Sequence, residues 1–425
     1  MNTSTGGGAD AAQRRNSAGE DTRRQRSPGP HLLSGLRILD LGTMVAGPVA
    51  CTLFGDFGAE VIKVEVPERG DTVRDLGPFV EGECLYWHVE GRNKKSITLN
   101  LREPEGQRLL CRLVEQADAV VENFRPGTLE AWGIGYERLK EHNPGLILLR
   151  VSGFGQTGPY RTRAGYDRIG LAFGGLLNIT GFPDRPPVRI GTSTADYQTA
   201  LLGAYSLMMA LYHRDVMGGG GQEIDLSMYE SVIRFTEVLV PEYDRLGVVR
   251  GRRGNKHFAA APGEHFLTAS GRYMILTISA DAGFQRLCVA MERPELATDP
   301  RYATHAKRWE HVDDLNALVA EWIVGQPEDD LRRTLDEAKL AYSFIYGIDD
   351  IMQDPHYEAR GSIATVDHPR IGPVRMAGVF PRFAGRENKP IEPAPDLGQH
   401  NEEVYGDLLG LTPDALRDLA ERGIL

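Results

Sequence analysis

Two short runs, Leu36-Arg37-Ile38-Leu39-Asp40-Leu41 and Ala59-Glu60-Val61-Ile62-Lys63-Val64-Glu65, decide the fold. Their length and their Val, Ile and Leu content predict β-strands. The segment 46–58 between them reads as a helix, with Pro48 tolerated in its first turn. A strand, a helix and a strand in that order form a βαβ crossover, whose two strands must run parallel. The same alternation continues. Residues 96–101 predict a strand, and 105–117 a helix with Leu109, Leu110, Leu113, Val114 and Ala117 on one face. Residues 119–122 and 146–152 predict two further strands. The fold class is therefore α/β: an open parallel sheet covered by helices on both faces.

The remaining chain supports this class and excludes others. Its 425 residues suffice for a large domain and a second, smaller one. With 48 Lys and Arg against 59 Asp and Glu, the net charge of −11 gives no general attraction to nucleic acid or anionic membranes. Cys51, Cys84, Cys111 and Cys288 lack the spacing of a disulfide framework or a zinc site, which fits reduced thiols in a cytoplasmic protein. No apolar run has the ~18 residues of a membrane span. Residues 1–30 are rich in Gly, Ser and Arg with nothing apolar to bury, and read as a disordered tail.

The segment 196–213 is apolar nearly all round and reads as a buried central helix. Gly218-Gly219-Gly220-Gly221 reads as a turn, because no Lys-Ser or Lys-Thr follows to make a phosphate loop. Residues 222–227 resume a strand. From 226 to 364 helices dominate, with one strand at 273–278, and this stretch is expected to form the second, smaller domain. The large domain is expected to comprise 31–225 and 365–425. It ends in a Pro-rich surface arm at 390–395 and a last helix at 413–422.

Few motifs carry chemistry. Gly153-Phe154-Gly155-Gln156-Thr157-Gly158 follows a strand, but Pro159 and the polar residues after it cannot open the helix that a dinucleotide site needs. There is no GxSxG nucleophile elbow and no HExxH, so neither serine hydrolase chemistry nor a metal is expected. Loop-borne carboxylates and arginines remain. Thr180-Gly181-Phe182-Pro183-Asp184-Arg185-Pro186-Pro187-Val188-Arg189 pins Asp184 between prolines, the placement a nucleophilic carboxylate would use or an ordinary turn. Asp167 reads as the cap of a helix starting near Ile169. Asn123-Phe124-Arg125 directly follows a strand, where open α/β sheets bind ligands.

Several ordered blocks then make the chain resemble the class III CoA-transferases, the group of formyl-CoA transferase and carnitine CoA-transferase. They are Gly35-Leu36-Arg37-Ile38-Leu39-Asp40, Ala46-Gly47-Pro48, Gly58-Ala59-Glu60-Val61-Ile62-Lys63-Val64-Glu65, Arg92-Asn93-Lys94-Lys95-Ser96, Val121-Glu122-Asn123-Phe124-Arg125-Pro126-Gly127, Ser152-Gly153-Phe154-Gly155-Gln156 and Asp354-Pro355-His356. The resemblance runs from about residue 32 to 425. It implies a large Rossmann-like domain, a small domain and a homodimer of interlocked rings. It also implies transfer of CoA between carboxylic acids, with coenzyme A as substrate and no permanently bound cofactor.

On the resemblance, Asp184 is the nucleophile. The CoA contacts fall on Val45 and Ala46, on Leu99 and Arg102 at the ends of the segment 99–102, on Asn123, Phe124 and Arg125, and on Ser152 and Gly153. Ala131 and Trp132 stand where formyl-CoA transferase has a further basic contact, and 259–263 replaces its tetraglycine loop. Arg185 or Arg189 would clamp a second carboxylate, which favours acids such as succinate, malate or mesaconate. Two alternatives stay open. One is an isomerase resembling 2-methylacyl-CoA racemase, working through Asp167, although Tyr166 stands where that enzyme has His. The other is a non-catalytic CoA-binding partner subunit.

Overall fold

A computed structural model describes residues 29–425. All of the expected 1–30 tail except Gly29 and Pro30 lies outside them. Six parallel strands form the main sheet: β1 (Arg37–Asp40), β2 (Glu60–Glu65), β3 (Lys94–Thr98), β4 (Ala119–Glu122), β5 (Ile147–Ser152) and β6 (Gln222–Ser227). Their order across the sheet is β3-β2-β1-β4-β5-β6. Ile38 stands beside Val61 on one side and Ala119 on the other. The chain reverses its direction of growth between β1 and β4, and the strand carboxyl ends open a crevice there.

The two-residue period of the strands sorts side chains into two cores. Ile38, Val61, Ala119, Val121, Ile147 and Leu149 point to one layer, with α1 (Ala46–Asp56) and α5 (Thr194–Asp215) over them. Leu39, Ile62, Ile97, Val120 and Leu148 point to the other, under α3 (Pro104–Val114) and the C-terminal α6 (Pro413–Glu421). The shorter α2 (Leu85–Glu90) and α4 (Asp167–Phe173) complete the elements around the crevice. Each fully buried aliphatic side chain contributes about 1.5–3 kcal/mol.

Several expectations shift. The first helix stops at Asp56, and Gly58, at φ +96°, turns the chain into β2, where a Cβ would meet His31 Cβ at 2.4 Å. The strand expected at 96–101 is β3, which starts two residues earlier with buried Lys94. Lys94 can occupy a strand interior because its Nζ reaches Asp40 Oδ2 at 2.9 Å and donates to Pro48 O at 2.7 Å. The apolar helix α5 is not buried all round. Ala195, Thr199, Ala200, Gly203, Leu207, Ala210 and Leu211 face the core, while Leu201, Tyr205, Met208, Met209 and Tyr212 are exposed. The 3.6-residue helical period separates these sets, which hydropathy alone cannot do. The strand expected alone at 273–278 has two partners: Gly263–Leu267, Tyr273–Thr277 and Tyr342–Phe344 form an antiparallel sheet. Helices around this sheet enclose a separate core that includes Phe266, Leu276, Leu287, Leu315 and Leu335. The Pro-rich segment 390–395 does run as an arm, accepting from Trp87 Nε1 at Pro395 O (2.9 Å). No helix among the described residues is long and apolar enough to cross a membrane.

A buried charge lattice ties the crevice together. Lys63, 1% exposed, pairs with Asp71 Oδ2 at 2.7 Å and Asp40 Oδ1 at 3.7 Å, and its ammonium also donates to Gly42 O. Burial alone would lower the Lys63 pKa, but Asp40 and Asp71 outweigh it and hold the pKa above the ordinary lysine range. Removing one member strands the others without compensation. Lys63→Met should therefore lower stability by about 3–5 kcal/mol in chemical denaturation. A loss below about 1 kcal/mol would show that the lattice does not hold the crevice.

Candidate active site

The loop leaving β1 forms the first wall of the crevice. Met44 sits at φ 64°, a left-handed conformation that is strained for a residue with a side chain. Its N–H donates to Asp71 Oδ1 at 2.9 Å, and so does that of Val73 at 3.0 Å. Asn123, just after β4, holds the same loop: Oδ1 accepts from Thr43 N at 2.7 Å and Nδ2 donates to Thr43 O at 2.8 Å. The Asn123 amide, expected at a nucleotide, is thus committed to the loop. α1 begins at the cavity edge, and its N-cap Val45 offers no side-chain acceptor to the first-turn N–H groups.

The loops after β5 form the second wall. Ser152 Oγ accepts from Gly155 N at 2.9 Å. Gly153 passes Gly165 so closely that a Cβ on either would lie 2.6 Å from the other's Cα. This contact brings 163–167 against the strand end. Asp167 does not cap its own helix, since α4 starts at Asp167 with Tyr166 as its N-cap. Its Oδ1 instead accepts from Ala195 N, in the first turn of α5, at 2.8 Å, and its Oδ2 is buried without a hydrogen-bond partner. Asp167 thus caps α5 and not the helix it begins, through a bond spanning 28 residues that sequence proximity hides.

Two neighbouring cavities result. One, of about 380 Å³, is lined by Val45, Ala46, Asn123, Phe124, Arg125, Ser152, Gly153 and Asp196, among others. The other, of about 660 Å³, shares Phe124 and Arg125 and adds Leu99, Arg69, Arg102 and Trp132. All nine residues expected at CoA therefore border one continuous stretch of the crevice. Phe124 meets Trp132 edge-to-face at 5.3 Å, so Trp132 supplies an aromatic wall there. The Arg102 and Arg125 side chains are exposed and pair with no acid among the described residues, which leaves two positive charges facing solvent beside these cavities.

The structure does not bring Asp184 here. Residues 182–189 are exposed throughout, and Arg185 and Arg189 stand outside the two cavities with Asp184. Gly181 at φ +119° and three prolines shape a turn whose Phe182 and Pro183 border a different cavity, with Arg252, Lys256 and Trp309. The carboxylate that does line the cavity is Asp196, in the first turn of α5. Burial, reinforced by the neighbouring Asp167 charge, pushes it up to about 7. It hydrogen-bonds to no described residue. Sequence reading passed over Asp196 as the polar edge of an apolar helix. An acid in a first turn is ordinary, since the helix dipole favours it anywhere.

The segment 259–263 does not line these cavities either. Ala260 and Ala261 are buried, and Ala261 O accepts from Arg308 Nε at 2.7 Å. The fold also gathers Glu83, His88 and His368, which no sequence spacing disclosed. His368 Nδ1 accepts from Arg370 N at 3.3 Å, which places the ring proton of the neutral form on Nε2, facing Glu83. The Arg370 guanidinium occupies the other Glu83 oxygen. His88 Nε2 approaches Glu83 Oε2 at 3.4 Å, neither His88 ring nitrogen makes a hydrogen bond, and burial lowers the His88 pKa.

Comparison with known proteins identifies the family. The family model described as CoA-transferase family III matches residues 33–401. The succinyl-CoA–D-citramalate CoA-transferase of Chloroflexus aurantiacus is 47% identical over 402 residues, covering 94% of this chain and 99% of its own. The alpha subunit of the succinyl-CoA–L-malate CoA-transferase of Chloroflexus aurantiacus is 39% identical, with 92% of each chain covered. The crystal structure of a CaiB/BaiF family protein from Brucella suis superposes with a TM-score of 0.78 at 35% identity, covering 89% of this chain and all of that one. The chain belongs to CoA-transferase family III and is a CoA-transferase.

Proposed function

We propose that the protein moves CoA from succinyl-CoA to a short dicarboxylic acid such as malate or citramalate, with Asp196 as the carboxylate that carries the acyl group. The observation behind this is one ionisable, unpartnered carboxyl lining the cavity that the expected CoA contacts also border. The relatives' acids supply the substrate class. Asp196 attacks the thioester carbonyl and expels CoA thiolate, a good leaving group because its thiol pKa is only ~8.5. CoA sulfur then attacks the aspartyl carbonyl of the mixed anhydride, releasing succinate and leaving an aspartyl-CoA thioester. The acceptor carboxylate attacks that thioester and frees CoA thiolate again. The thiolate takes the new acyl group and regenerates Asp196. The unspent N–H groups at the start of α1 suit the developing oxyanions. Both intermediates hydrolyse readily, so a half-buried carboxyl serves better than one on an exposed turn.

The isomerase alternative would use Asp167, whose Oδ1 is already engaged by Ala195 N. The division into 31–225 with 365–425 and 226–364 belongs to the same reading, supported by the separate core around the antiparallel sheet. A cytoplasmic location fits the four buried, unpaired cysteines.

The assignment of Asp196 over Asp184 is tested by trapping. With acyl-CoA and hydroxylamine, the hydroxamate should fall on the peptide containing Asp196. Asp196→Asn should abolish transfer, and Asp184→Ala should keep it. The same Asn variant should gain stability at pH 8. With a folded pKa of about 7 against an unfolded value near 4, the native carboxyl is ionised only at a cost above neutrality, and Asn removes that cost. A hydroxamate on the Asp184 peptide would return the role to that residue.

Arg102 and Arg125 should serve the phosphates of CoA. Replacing either with Ala should raise KM for succinyl-CoA about tenfold while changing kcat far less. A fall in kcat at constant KM would assign them to the chemistry instead.

The exposed face of α5 suits a second copy of this chain, as the interlocked homodimer requires. Sedimentation at low micromolar concentration should give a dimer, and Tyr205→Glu with Met208→Glu should disrupt it. A wild-type monomer that stays folded and active would overturn this.

A further inference from the structure

Asp196 carries no hydrogen bond of its own, so its aim depends on the turn that bears it. The next residue, Tyr197, donates from Oη to Glu90 Oε1 at 2.6 Å. Glu90 is the last residue of α2 and only 4% exposed. Its carbonyl accepts from Thr52 Oγ1 of α1 at 2.7 Å. The Tyr197 ring packs with Val45, Val49, Ala50 and Ala200. Val45 itself borders the cavity that Asp196 faces. One hydroxyl–carboxylate bond therefore joins the turn carrying Asp196 to the helices forming the opposite wall.

We infer that Tyr197 and Glu90 are positioning residues that set the distance of the Asp196 carboxylate from the wall at the start of α1. The inference rests on the reading of Asp196 as the acyl-carrying carboxylate. Burial and the adjacent Glu90 charge raise the Tyr197 pKa far above neutrality, so the proton stays on the hydroxyl and the bond is a fixed strut, not a proton-transfer route. A buried hydroxyl–carboxyl bond of this length restricts geometry strongly. Displacement of a reacting group by about 1 Å can cost about two orders of magnitude in rate.

The test follows exchange of isotopically labelled succinate into succinyl-CoA, which needs no knowledge of the natural acceptor. Tyr197→Phe should lower kcat at least about tenfold, with KM for succinyl-CoA within about twofold and slower hydroxamate formation on the Asp196 peptide. Glu90→Gln should keep kcat within about threefold of wild type, because the amide oxygen still accepts from the hydroxyl. If Tyr197→Phe folds poorly, Glu90→Leu, assayed well below its melting temperature, should show the same fall in kcat with KM within about twofold. Wild-type kcat in Tyr197→Phe, a rise in KM alone, or equal damage from Glu90→Gln and Glu90→Leu would each overturn the inference. Full exchange by Asp196→Asn would instead overturn the reading beneath it.

Discussion

Asp40, Lys63, Asp71 and Lys94 form a lattice of alternating charges around the end of β1, and the crevice depends on it. Asp40 joins both lysines, and Asp71 extends the lattice to the N–H groups of Met44 and Val73. No apolar substitute could do this, because the loop after β1 must present backbone groups instead of filling space. A buried lattice of this kind contributes little net stability compared with a hydrophobic replacement. What it supplies is a single conformation, including a strained Met44 that would otherwise relax.

The parallel sheet was legible because its central strands are buried on both faces and read as continuous apolar runs. The apolar residues carry this reading in β1 and β4, and also in β2 and β5, where Lys63 and Arg150 interrupt the run and each pairs with a buried acid. β3 was misplaced by two residues because Lys94 and Lys95 look like loop residues until their acidic partners are seen. The antiparallel sheet was two strands short for a similar reason. Gly263–Leu267 carries Glu264 and His265, and Tyr342–Phe344 has only three residues, so neither shows an apolar run.

The site divided differently. The nine expected CoA contacts lie on loops fixed by adjacent strands, and they came together around the crevice. The carboxylate did not, since an Asp flanked by prolines looks rigid in sequence whether or not the turn faces a cavity. Asp184 and Asp196 differ in solvation and in what surrounds them, and neither property is local in the chain. The like charge of Asp167, brought close from a separate loop, separates Asp196 further from an ordinary first-turn acid. Ionising the carboxyl in this position is costly for folding.

α5 is 22 residues long, about 33 Å at the standard rise. Asp196 sits in its first turn. Arg214 sits in its last, donating to Asp118 O at 3.1 Å and Gly145 O at 2.9 Å and pairing with Asp118 Oδ1 at 2.9 Å, at the amino ends of β4 and β5. The helix is therefore a beam clamped at both margins of the sheet. Its near end is held by Asp167 Oδ1 at Ala195 N and by Tyr197 Oη at Glu90 Oε1. One continuous helix thus ties the turn that bears Asp196 to Asp118 and Gly145, neither of which borders the cavity.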